Sequence, residues 1–127
     1  MKKTLTLTLA LAMCLSVVAC ANKTTNPPPA PPTGSLNSFD ADTNTALQTI
    51  HAFVGSMVAQ NNSGAITLTV NQKALLNQLV ASVNSADVIY QAWHAAGGTG
   101  PTAPVQTAVA KAQSDQNTLN AAITGGK

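Results

Sequence analysis

Arginine and glutamate are absent from this chain, and charge of any kind is scarce, at 8% of all residues. Beyond the first twenty residues, Lys23, Lys73, Lys111 and Lys127 are balanced by Asp40, Asp42, Asp87 and Asp115. A neutral domain without arginine is a poor nucleic-acid binder, because that affinity comes mainly from neutralising phosphates. Nucleic acid is therefore not an expected partner, and charge does not equip the domain for docking on anionic lipid. Cysteine is nearly as rare. Cys14 and Cys20 are the two in the chain, so everything after Cys20 has neither a disulfide nor a thiolate metal site. A small domain of this kind is held together by its core alone. Long apolar runs are missing as well. Leu5–Val18, interrupted by Thr6, Thr8 and Ser16, falls short of the roughly 20 residues a spanning helix needs.

What that run does have is a basic start, Lys2-Lys3, and small residues at its end. These are the parts of a secretory signal peptide, expected over residues 1–19 and set aside from the fold. Its last residues, Val17-Val18-Ala19-Cys20, resemble the lipobox of bacterial lipoproteins. The resemblance implies cleavage between Ala19 and Cys20, a diacylglycerol on the Cys20 sulfur, and acylation of the new amino group. The membrane is then a partner through lipid on Cys20. One acyl chain anchors marginally, whereas two or three anchor stably. In enteric bacteria an aspartate after the lipidated cysteine signals retention at the inner membrane. Here that residue is Ala21, so the resemblance implies the outer membrane, facing the periplasm.

Residues 20–37 are polar and Pro-rich. Proline fixes φ and lacks a donor, so "NPPPAPPTGS" forms neither a helix nor a central strand. It reads as an extended spacer reaching roughly 40 Å from the lipid.

The folded part is expected over 38–124. Ala46, Leu47, Ile50, Phe53, Val54 and Met57 recur at spacings of three and four, the stripe of an amphipathic helix over about 38–61. "NNSG" at 61–64 ends it. "AITLTV" at 65–70 alternates like a strand but has no second strand to pair with, so it reads as an extended connection. Thr69-x-x-Gln72 is a capping box. It starts a second helix over about 70–96, striped by Leu76, Leu79, Val83, Ala86, Tyr90 and Trp93 and stopped at Gly97-Gly98. Pro104 suits the first turn of a third helix over about 103–124. Val105, Val109, Ala112, Leu119 and Ile123 stripe it, with Gln116 at the weak point, and 125–127 form a tail. The expected fold is all-α, a small up-down-up three-helix bundle.

Candidate chemistry is sparse. Antiparallel pairing of the first two helices places His51 opposite about Asn84 and His94 near Asp40 and Asp42, with the histidines on the order of 15 Å apart. They cannot share a metal ion, and no metal or other cofactor is expected. His94 is expected to form a surface hydrogen bond or ion pair. Phe39, Tyr90 and Trp93 are expected to cluster at one end, chiefly as core. Tyr90, Trp93 and His94 are the residues considered as a partner surface. No nucleophile–base–orienter set is visible, and Gly97-Gly98-Thr99-Gly100 lacks the strand and lysine of a phosphate loop. The domain is therefore expected not to be an enzyme, with a small lipid-anchored enzyme as an alternative.

The chain ends "TGGK". This resembles the end of the major outer-membrane lipoprotein of enteric bacteria, whose terminal lysine is joined to peptidoglycan. The resemblance implies a linkage at Lys127, although that family is a continuous heptad coiled coil. The Pro-rich stretch after Cys20 resembles the phage outer-membrane spanins, which are shorter and lack a bundle. The leading expectation is a lipid-anchored helical binding or scaffolding module of the bacterial envelope, with an envelope protein or peptidoglycan as its partner. An envelope-tethering or lysis-type lipoprotein is the alternative.

Overall fold

A computed structural model of the protein describes residues 36–125. Ala19, Cys20, the Pro-rich stretch as far as Ser35, and Lys127 lie outside the described residues. The described residues form three helices and no strand: α1 Ser38–Ser63, α2 Val70–Ala95 and α3 Ala103–Thr124. None of them is long and apolar enough to cross a membrane.

Local chemistry sets each boundary. Asn37, in an extended conformation, accepts the Asp40 N–H on its side chain and so caps α1, satisfying a donor that the first turn leaves open. Gly64 closes the helix in the left-handed conformation, at φ 76°, with its N–H on Asn61 O. Thr69 and Gln72 form the capping box of α2 reciprocally: the Thr69 hydroxyl accepts the Gln72 N–H, and the Gln72 side chain accepts the Thr69 N–H. Before that box, the 65–69 connection buries Leu68 in the core. α3 starts with Pro104 in its first turn, where the missing N–H has no partner to lose.

Side-chain contacts give the helix directions. His94 near the end of α2 meets Asp40 at the start of α1. At the other end, Gln72 Nε2 donates to Ala122 O at 2.9 Å, joining the start of α2 to the end of α3. Consecutive helices therefore run antiparallel. All six stripe residues expected of α2 are buried, with Leu79 and Val83 fully withdrawn from solvent. Around them the core has two lobes. One gathers Ile50, Val54, Leu76, Leu79, Val83 and Leu119 toward the 64–69 connection. The other gathers Leu47, Ala86, Tyr90, Trp93, Val105 and Val109 toward the 96–102 connection.

The fold begins earlier than the sequence pattern indicates. Leu36 and Asn37, assigned above to the spacer, already engage it: Asn37 caps α1, and the Leu36 N–H donates to Asp40 Oδ2 at 2.9 Å. Leu36 also packs beside the indole of Trp93 over Gly98. A Cβ built on that glycine would lie 3.1 Å from Trp93 Cη2 and 3.2 Å from Leu36 Cδ1, at a φ of +68°.

Candidate functional site

Three of the four aspartates of the domain are buried, one on each helix: Asp40, Asp87 and Asp115. Asp42 is exposed. The three occupy stripe positions. Asp40 continues the series Thr43, Asn44, Leu47; Asp87 lies between Val83 and Tyr90; Asp115 lies between Ala112 and Leu119. A charge on the apolar face of a helix is tolerated only when it is paired and hydrogen-bonded, and each of these carboxylates reaches to a neighbouring helix for its partner.

Asp40, with none of its surface exposed, is the most fully satisfied. Its Oδ1 accepts from the Tyr90 hydroxyl at 2.8 Å and pairs with His94 Nδ1 at 2.8 Å, while Oδ2 accepts from Leu36 N–H. Burial pushes this carboxyl up, but the Leu36 N–H, His94 and Tyr90 outweigh it and hold it below the ordinary value. The same pairing acts in reverse on Tyr90, whose hydroxyl is pushed up by burial and by the adjacent carboxylate.

Asp115 is held similarly. Ser82 Oγ and Lys111 Nζ donate to its Oδ2, and Gln78 Nε2 donates to Oδ1 at 3.0 Å. Burial raises this carboxyl, and the Ser82, Lys111 and Gln78 donors bring it below the ordinary value. Gln78, Ser82 and Lys111 also line an open groove of about 250 Å³ between α2 and α3, with Ala81, Ser85 and Ala108.

Asp87 is different. His51 Nε2 lies 3.1 Å from its Oδ1 and 2.9 Å from its Oδ2, yet Oδ2 is buried without a hydrogen bond among the described residues. Burial dominates here, and His51 only partly offsets it, so the carboxyl is raised.

The histidines thus serve two separate pairs. His94 pairs with Asp40, as the antiparallel register implies, but that partner is a buried carboxylate, while Asp42 stays at the surface. His51 finds Asp87, about one turn beyond the expected Asn84. Among the described residues, no three His, Cys, Asp or Glu side chains come together where they could hold a metal ion.

The aromatic residues gather at the end where α1 begins and α2 finishes. Phe39 meets Trp93 edge to face, with centroids 5.0 Å apart, and Tyr90 lies nearly parallel to Trp93 at 6.4 Å. Of the three residues considered as a partner surface, Tyr90 is fully buried and Trp93 is 7% exposed. Only His94, with 24% of its side chain open, keeps an edge to solvent. The Trp93 indole N–H donates to Gly100 O at 3.0 Å, which fastens the α2–α3 connection to the edge of the ring.

The aspartate clamps have no counterpart in the stripe read from sequence. Gln116 marks the weak point of the α3 stripe, but Asp115 is the residue that turns inward. The usable signal is an aspartate three residues after Ala112 and four before Leu119, a spacing that keeps it on the apolar face. No protein-family model, curated protein or solved structure matches the chain.

Proposed function

We propose that the chain is a lipid-anchored, non-enzymatic module of the bacterial envelope, an up-down-up bundle held from the membrane by its Pro-rich spacer. It binds or organises an envelope partner, a protein or peptidoglycan, and not nucleic acid. The observation that carries the reading is Val17-Val18-Ala19-Cys20, placed after Lys2-Lys3 and an apolar run of signal-peptide length. The absence of Asp at position 21 supports the outer membrane, facing the periplasm, as its location.

The buried polar groups support a scaffold. Each of the three buried carboxylates is engaged between helices, which fixes helix register instead of presenting a reacting group. The arrangement nearest to catalytic machinery is His94 oriented by Asp40 through Nδ1. That is part of a nucleophile–His–Asp set, but no Ser or Thr hydroxyl among the described residues is hydrogen-bonded to His94.

Cells grown with an alkyne-bearing palmitate test the proposal. The wild-type chain takes up the label and migrates as a processed form. Cys20→Ala takes up none and accumulates as precursor. Normal processing of that variant refutes the lipobox assignment.

A further inference from the structure

The end of the bundle at which the chain enters the fold has an unusual surface. It is built from the first turn of α1, the last turns of α2 and the 96–102 connection, joined by Leu36 N–H on Asp40, His94 on Asp40 and the Trp93 indole on Gly100 O. From Val88 to Ala110 the sequence contains no Asp, Glu, Lys or Arg, and Asp40 is buried. Asp42 is an exposed charge at this end, in a shallow groove with Phe39 and Gln106, and Leu36, beside Gly98, is 48% exposed. Ala95, Ala96 and Pro101, at the end of α2 and in the 96–102 connection, are also exposed. The opposite end differs, with polar Asn61, Asn62, Thr67 and charged Lys73 lining an open depression.

We infer that this end of the bundle rests on the lipid surface, with Leu36 entering the interface. The inference builds on the anchoring at Cys20 proposed above. Leu36 stands sixteen positions after Cys20 in sequence, a contour of at most about 55 Å. Lipid on Cys20 therefore brings this end, before any other, to the bilayer. A short tether also raises the effective concentration of the two surfaces to the order of mM, so a contact too weak to matter in solution becomes populated. Burying Leu36 is favourable, and the 88–110 segment, which carries no Asp, Glu, Lys or Arg, gives up no charge hydration on approach. No Lys or Arg occurs in residues 36–72 or 88–110, so anionic lipid does not strengthen the contact.

The test uses the mature chain coupled through the Cys20 thiol to a maleimide phospholipid, in phosphatidylcholine nanodiscs carrying a nitroxide headgroup. Its outcome is thereby independent of acylation in cells. Amide signals of Leu36, Thr99 and Gly100 lose about five times more intensity than those of Ile66 and Thr67, with no gain on adding phosphatidylglycerol. Leu36→Lys, at an exposed position and with an unchanged melting temperature, keeps the tether but lowers that ratio to about two. An undiminished ratio in Leu36→Lys means that the tether alone orients the bundle, and it overturns the inference. Equal losses at both ends, or broadening that grows with phosphatidylglycerol, also overturn it. Docking in nanodiscs by a chain that cells fail to acylate supports this inference and refutes the anchoring.

Discussion

Tyr90 and Asp40, fifty residues apart, share a 2.8 Å hydrogen bond between two groups wholly withdrawn from solvent. The bond locks the last turns of α2 to the first turn of α1, and through Leu36 it also fixes where the chain enters the fold. Tyr90→Phe removes the donor while keeping the ring, so packing against Trp93 is retained. The carboxylate keeps His94 and Leu36, and the loss is about 1–3 kcal/mol. For a domain of this size that lowers the melting temperature by roughly 4–8 °C per kcal/mol. Thermal denaturation followed by circular dichroism measures it. A melting temperature unchanged within error would show the bond to be dispensable.

The three aspartates make opposite contributions to acid stability. Asp40 and Asp115 are lowered from 3.8 in the folded state. Their ionised forms stabilise the fold above the unfolded value, and that stabilisation is lost as pH falls through the lowered folded values. Asp87 is raised. Its advantage to the fold is fully present below the unfolded value and is lost as pH rises through the raised one. Asp115→Asn is therefore less stable than wild type at about pH 7, and the gap narrows toward about pH 3. Asp87→Asn behaves in the reverse sense, gaining on wild type across the same rise in pH. Urea denaturation at several pH values measures both, and parallel profiles for the two variants would contradict the assignment.

The helices were legible because apolar spacing and caps agreed: the α2 stripe and the Thr69–Gln72 box both mark the same element. The buried aspartates were not, because a stripe is read by its apolar members and a carboxylate within it looks like a gap. Asp87 and Asp115 enter the sequence reading only as net charge, although their spacing to Val83, Tyr90, Ala112 and Leu119 puts them on the inner face. His94 was placed near the correct partner by antiparallel register alone, but register cannot tell a buried carboxylate from an exposed one two residues away. Leu36 was missed because proline composition hides where a spacer ends and a cap begins.

Two glycines test the backbone reading with opposite signs. Gly55 lies inside α1, and a Cβ there meets nothing within 4 Å. Gly55→Ala removes unfolded-chain entropy without a clash and stabilises by about 0.5–1 kcal/mol. Gly98 has φ +68°, with Trp93 and Leu36 crowding the Cβ position. Gly98→Ala combines a left-handed strain of about 1–2 kcal/mol with displacement of one of those side chains. The first variant melts higher than wild type and the second lower. A stabilising Gly98→Ala would mean that the α2–α3 turn adopts another conformation.

Leu79 and Val88 test which face of α2 looks inward. Both are aliphatic residues of the same helix, so apolar character alone does not separate them. Leu79 is fully buried, whereas Val88 is 68% exposed, because nine residues turn the helix through two and a half turns and place the two side chains on opposite faces. Aspartate at position 79 sits among Ile50, Val54 and Val83 with none of the donors that satisfy Asp40 or Asp115. An unpaired buried charge costs several kcal/mol, comparable to the whole stability of a small domain, so Leu79→Asp leaves the chain unfolded. Val88→Asp leaves its carboxylate in water and changes stability by about 0.5 kcal/mol or less. Circular dichroism melts of the two variants separate the cases. A folded Leu79→Asp beside an unfolded Val88→Asp would require the helix to be rotated by half a turn, which would also pull Tyr90 away from Asp40.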